Sequence, residues 1–216
     1  MRGVSQNTGK SGKIVNFVLN QIKNNRTGFF TVVGFVFGFL FLGLYVYSRT
    51  LSFAEDASDR LSAAYIHFGG GDMKKGEALL DETINVFPKT AAAYQARLVK
   101  ADMLTDQGKY DEALGFLFEV SGNAKPETLK PFSAARIISV YEKQKDYENA
   151  IKYSNEFINK YKSNFLAKNI HLNLAGFYAA AGLADEAARV YNDILIGYPA
   201  TEEAATAEKA LKDLKK

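Results

Sequence analysis

The sequence predicts an all-α protein: one N-terminal transmembrane helix, then an α-solenoid of about four helical hairpins closed by a C-terminal capping helix. Three observations carry this reading. Residues 27–48, TGFFTVVGFVFGFLFLGLYVYS, hold no charge and no proline. Four short segments from residue 71 onward recur at a constant spacing of 37 residues. Residues 202–216, EEAATAEKALKDLKK, repeat small and apolar residues at helical spacing.

Residues 1–26 are a basic tail. The first twelve, MRGVSQNTGKSG, are polar and too poor in apolar groups to pack. Gly9-Lys10-Ser11 has the end of a phosphate-binding loop, but such a loop needs its first glycine five residues before Gly9. Gly3 is one residue too far, so the segment reads as tail. From Lys13 to Asn24, Ile14, Val15, Val18, Leu19 and Ile22 form one apolar stripe, expected to lie along the membrane interface or on a membrane partner. Residues 27–48 come next. About 20 apolar residues at about 1.5 Å each span roughly 30 Å, the thickness of a bilayer core. Tyr45 and Tyr47 stand at the far end, where amphipathic rings favour the interface. Gly34, Gly38 and Gly43 are the expected points of close helix–helix contact in the membrane.

Charge sets the orientation. Arg2, Lys10, Lys13, Lys23 and Arg26 precede the apolar segment with no acid among them. Removing those five leaves 22 basic residues against 24 acidic ones, a net charge of −2 for the rest. Basic flanks stay cytoplasmic. The N-terminus is therefore expected inside and residues 49–216 outside, which removes the Asn25-Arg26-Thr27 sequon from use. A near-neutral domain has no basic face for nucleic acid. The rival is a signal peptide cut near Ala54, in Ser52-Phe53-Ala54. Its apolar core should be roughly 7 to 15 residues, shorter than the run seen, so an uncleaved anchor is expected. The absence of cysteine leaves no disulfide and no thiolate ligand.

The repeats follow. GDMKKG at 71–76, GKYDEA at 108–113, KDYENA at 145–150 and GLADEA at 182–187 end on Gly76, Ala113, Ala150 and Ala187. Each joins a helical pattern to another. The small final residue lets two antiparallel helices approach; Gly or a polar residue ends the first helix, and acids suit the start of the second. Ala64, Ala101, Ile138 and Ala175 mark the other side of the contact. Phe87-Pro88 and Tyr198-Pro199 close the first and last hairpins, because proline cannot continue a helix from within. Tyr141, Tyr147, Tyr153, Phe157 and Tyr161 give the third hairpin an aromatic character, expected to be mostly core. In the terminal helix Ala205, Ala210, Leu211 and Leu214 are the residues expected to cover the last hairpin.

On these segments the chain resembles the tetratricopeptide repeat over residues 57–200, with a period three residues longer than the usual 34 or so. It departs from the pattern in hairpin one, where Met73 and Gly76 replace the usual Tyr and Ala. The resemblance implies a right-handed solenoid whose first helices line a peptide groove. Carried over by alignment, that groove comprises Leu61, Tyr65 and Phe68; Gln95, Leu98, Asp102 and Thr105; Phe132, Ala135, Ser139 and Glu142; and Asn169, Leu172, Gly176 and Ala179. The surface mixes apolar and weakly acidic groups and lacks a Lys/Arg cluster for a terminal carboxylate. It is expected to take an extended or helical peptide with apolar anchors.

No catalytic constellation, metal site or cofactor site is expected. His67 and His171 are the two histidines, without acids at ligand spacing. The whole layout resembles that of the tetratricopeptide-like ancillary subunits of the bacterial Sec translocon. That implies a non-enzymatic adaptor in the bacterial inner membrane, with a periplasmic domain, linking the translocon to chaperones or clients. The alternative is a structural scaffold of a secretion, cell-wall or flagellar machine.

Overall fold

The computed structural model describes Asn16, Phe17, Leu19, Asn20, Lys23 and residues 25–214. Those residues before 25 are helical and exposed; the rest of the expected stripe, Ile14, Val15, Val18 and Ile22, and the tail before it lie outside the described residues. Among the described residues nine helices follow: α1 (Arg26–Gly69), α2 (Met73–Val86), α3 (Ala91–Asp106), α4 (Tyr110–Asn123), α5 (Leu129–Gln144), α6 (Tyr147–Lys160), α7 (Ala167–Ala180), α8 (Ala184–Gly197) and α9 (Glu202–Leu214). No strand occurs among them. They form two compact units, residues 1–53 and 54–216.

In the first unit α1 contains a stretch long and apolar enough to cross a membrane. Its side chains, Phe35, Phe39 and Leu44 among them, are exposed rather than buried against protein. Asn25 caps this helix: its side-chain oxygen accepts from the Gly28 N–H at 3.0 Å.

The second unit is the solenoid. The part of α1 from Ala54 pairs with α2, α3 with α4, α5 with α6, and α7 with α8. From α2 to α9 each helix packs on the next, and α5 also touches α3. The turn inside each hairpin needs one left-handed residue. Gly71, Gly108, Lys145 and Gly182 supply it at φ 81, 75, 60 and 78°, one repeat apart. Glycine adopts this conformation without a Cβ penalty; Lys145 is the exception. Asp72 and Asp146 then cap the second helix by accepting from the N–H of Lys75 and Asn149. Ala113, Ala150 and Ala187 have no exposed surface, nor do Ala64, Ala101 and Ala175 across the crossings, and Ile138 is 1% exposed. α2 ends at Val86 before Pro88, and α8 at Gly197 before Pro199.

Four apolar clusters run along the array, one for each hairpin and its neighbour. The aromatics of the third hairpin divide as expected: Phe157 is fully buried, Tyr141 and Tyr153 stack with centroids 5.3 Å apart, and Tyr147 packs on Phe177. α9 packs on α8 and α7. Ala204 and Ala207 are its buried contacts and Ala205 faces solvent, contrary to the sequence expectation. The reason is register: Ala204, Ala207, Leu211 and Leu214 stand one repeat after Ala167, Ile170, Leu174 and Phe177. α9 is thus a fifth first-helix in repeat register.

Candidate functional site

Along the first helix of each hairpin the exposed and half-buried positions fall in one stripe: Ser58, Ser62 and Tyr65 on α1; Gln95, Val99, Asp102 and Asp106 on α3; Phe132, Arg136, Ser139 and Lys143 on α5; Asn169, Asn173, Gly176 and Ala180 on α7. Spacings of three and four place each set on one face. Side chains bridge the hairpins across it. Arg136 Nε donates to both Asp102 oxygens at 2.8 and 3.1 Å. Lys143 Nζ donates to Asp106 at 3.1 Å. Asp102, Thr105, Arg136 and Ser139 are among the walls of a hollow of 230 Å³ between α3 and α5. The Tyr65 phenol is pushed up by burial, opposed by Arg136 and reinforced by Asp102.

This placement corrects part of the expected groove. Tyr65, Gln95, Asp102, Phe132, Ser139 and Asn169 are exposed on the stripe. Leu61 and Leu98 are not on it: they are 4% and 7% exposed, inside the core. Phe68 and Leu172 pack against core clusters, and the Thr105 hydroxyl is spent on the Ala101 carbonyl at 2.7 Å. Glu142 is exposed one step round α5 from Lys143. The alignment thus placed the stripe about one residue, some 100° of helix, off at alternate positions. It therefore missed Val99, Arg136, Asn173, Asp106 and Lys143. Two cations do stand on the stripe, Arg136 and Lys143, each held by an aspartate. Helix rotation is hard to read from the sequence where apolar residues are adjacent, as Leu98 and Val99 are.

Phe165, before α7, is 66% exposed and its ring lies 6.0 Å from that of Phe132. The pair forms an open aromatic patch at one end of the stripe. In the first unit Gly34 and Gly38 share a face with Thr31, Phe35, Phe39 and Leu42 around a shallow concavity. Gly43 does not join them: nine residues at about 100° each put it on the side opposite Gly34. No cluster of three or more His, Asp or Glu able to hold a metal occurs among the described residues.

Residues 23–216 match the family described as tetratricopeptide repeat-like domain. The chain belongs to that family. Among solved structures it is similar to a tetratricopeptide repeat protein from Parabacteroides merdae, at 17% identity and TM-score 0.61, over 74% of this chain and 60% of that one. It is also similar to the tetratricopeptide-like repeats of a putative kinesin light chain from Podospora anserina, at 14% identity and TM-score 0.56, over 74% and 86% of the two chains. A third is MamA AMB-1, at 16% identity and TM-score 0.52, over 69% and 78%. These likenesses concern the fold. No curated protein matches the chain. Tetratricopeptide-like folds generally serve protein–protein interaction and are generally without enzymatic activity.

Proposed function

We propose that this tetratricopeptide-like protein is a membrane-anchored adaptor that holds an extended peptide segment of a partner in its stripe. The observation that carries the proposal is the stripe itself, one face repeated on the first helix of every hairpin and bridged by ion pairs. Its charges are paired, Asp102 with Arg136 and Asp106 with Lys143, and the rest is uncharged: Tyr65, Gln95, Phe132, Asn169 and Asn173. A face with no net charge favours a partner segment with few charges. Gln95, Asn169 and Asn173 offer amide donors and acceptors to a peptide backbone, and Phe132 with Phe165 offers a stacking site for one apolar anchor. The anchor places this face outside the cytoplasmic membrane, following the basic tail, and Gly34 and Gly38 are its contact with a second membrane helix. On this reading the anchor docks beside the Sec translocon and the groove receives emerging or chaperone-bound chains.

The test is photo-crosslinking of the full chain in its native membrane, with the reactive group at Tyr65, Phe132 or Gly38, and mass spectrometry of the adducts. Translocon subunits at Gly38 with many secretory chains at Tyr65 and Phe132 are the expected result. One fixed set of envelope proteins at all three positions overturns the adaptor and leaves the structural scaffold.

A further inference from the structure

One position of the repeat carries a basic side chain in hairpins one, two and four and alanine in hairpin three. It is Arg60, Arg97, Ala134 and His171, each 37 residues apart. An acid stands 22 residues after each: Glu82, Glu119, Glu156 and Asp193. In hairpin one Arg60 pairs with Glu82. In hairpin two Arg97, 4% exposed, donates from Nε to Glu119 at 3.0 Å and from Nη1 to the Pro88 carbonyl at 3.0 Å. In hairpin four the His171 ring hydrogen-bonds the Tyr198 hydroxyl at 3.1 Å. In hairpin three Ala134 has nothing to offer. Glu156 therefore faces Ala134 at the position from which Arg60 and Arg97 reach Glu82 and Glu119, and the Tyr161 hydroxyl, which stands one repeat before Tyr198, is buried with no hydrogen-bond partner among the described residues. A cavity of 350 Å³ opens there between α4, α5 and α6.

The cavity has the walls a planar cation needs. Phe118, Tyr153, Phe157 and Tyr161 line it, with Ala134 and Ile137 at its base. Glu156 supplies a carboxylate and Tyr161 Oη a buried acceptor. Lys160 also lines it, but its ammonium lies 5.3 Å from the Tyr161 ring centroid rather than on Glu156. The neighbouring Lys152 sits in the same way over Tyr153. Cations over these rings show that the faces attract positive charge. The cavity opens on the face of α5 opposite Phe132 and Arg136, so it is separate from the stripe.

We infer that this cavity is a receptor for an arginine side chain of a partner protein. The guanidinium replaces the side chain that hairpin three lacks, donating to Glu156 and to Tyr161 Oη while its plane lies on the aromatic walls. A guanidinium fits better than an ammonium because it is flat, weakly hydrated and offers several N–H groups in a fixed fork. The inference does not rest on the groove reading, and either one can fail alone.

The test uses the full chain in lipid nanodiscs, titrated by calorimetry with N-acetyl-arginine methylamide and, as a neutral isostere, N-acetyl-citrulline methylamide. The arginine probe is expected to bind saturably, and the citrulline probe at least about tenfold more weakly, as loss of a charge-assisted hydrogen bond requires. Glu156→Gln is expected to weaken the arginine probe by a similar factor and Tyr161→Phe by roughly threefold. Ala134→Arg should fill the cavity from within and abolish binding. Equal binding of the two probes, undiminished binding to Glu156→Gln or to Ala134→Arg, or no saturation overturns the inference. Should Ala134→Arg fail to fold, the Glu156→Gln and citrulline comparisons still decide it.

Discussion

The first and third hairpins share one backbone plan and fill it with opposite side chains. At the helix crossing of the third, Ala150 is fully buried and Glu142, at the repeat position of Phe68, is exposed to solvent. At the first, the equivalent pair is Gly76 and Phe68, and a Cβ added to Gly76 would lie 2.4 Å from the Phe68 ring. The phenylalanine has taken the space that alanine occupies elsewhere. One turn on, hairpin one buries Leu80 and Thr83 where hairpin three buries Ser154 and Phe157. A large residue in one place answers a small one beside it, so total volume is kept while its distribution changes. Close packing enforces this trade, because neither a void nor an overlap is tolerated cheaply. The lesson is that a fixed 37-residue period sets the path of the chain, and each hairpin closes its own core.

The trade is most exposed at Phe157, 1% accessible. Phe157→Ala should cost about 3–5 kcal/mol, as large-to-small core changes of this size do. Thr83→Ala, at the same place in hairpin one, removes one methyl and a hydroxyl whose bond is to its own helix, and should cost no more than about 1 kcal/mol. Urea unfolding followed by circular dichroism measures both. Equal costs would show that the two positions do the same work and would break the comparison.

Gly76→Ala comes next. Overpacking against Phe68 should cost about 1–3 kcal/mol, from which up to about 1 kcal/mol is recovered through helix propensity. Ala is the residue found at the other three crossings, so a change toward the pattern is expected to destabilise. Adding Phe68→Leu should recover most of the loss, read as a coupling energy in a double-mutant cycle. Gly115→Ala on α4, where a Cβ meets nothing within 4 Å, is the control and should stabilise.

These contrasts also explain how much was legible beforehand. The helices, the hairpin period, the alanine crossings and the turns were all visible, since each rests on residue type at fixed spacing. The stripe was visible only to within one helical position, because Leu98 and Val99 are both apolar and pattern alone does not choose which turns inward. Arg136 and Lys143 were missed for the same reason. The partner of Gly76 was invisible, since Phe68 stands eight residues away on another helix. The vacancy at Ala134 could have been found by aligning Arg60, Arg97 and His171 as well as the turn segments.

The turn residue Lys145 gives a smaller effect. It holds φ 60° where the other three hairpins have glycine. Lys145→Gly should stabilise by up to about 1 kcal/mol, the left-handed penalty less the added chain entropy of glycine. Gly108→Lys should destabilise by a similar amount. A stable Gly108→Lys protein would mean that the third turn is not special.

The smallest effect concerns the junction between the first two hairpins. Lys100 Nζ donates to Glu77 at 2.7 Å and to Asp81 at 3.1 Å. One repeat later the positions of Lys100 and Glu77 are Ile137 and Leu114, both buried. The ionic junction titrates and the apolar one does not. The hydrogen bond from Lys100, then its charge, hold the Glu77 carboxyl below its ordinary range. Burial alone would lower the Lys100 ammonium, but the bonds and charges of Glu77 and Asp81 outweigh it and raise it. A depressed acid contributes stability above its unfolded pKa and loses it as pH falls through the folded one. A raised base contributes below its unfolded pKa and loses it as pH rises through the folded one. The contribution is therefore level from about pH 5 to 10 and declines on both sides. Melting temperatures across that range should show Glu77→Gln lacking part of the acid decline and Lys100→Met lacking part of both. Lys100→Ile with Glu77→Leu copies the next repeat and should be close to neutral at pH 7, because apolar packing replaces a partly buried ion pair at little cost. A loss well above about 1 kcal/mol in that double variant would mean that the ionic junction is needed where it stands, and that the first two hairpins are joined by a different physics from the rest.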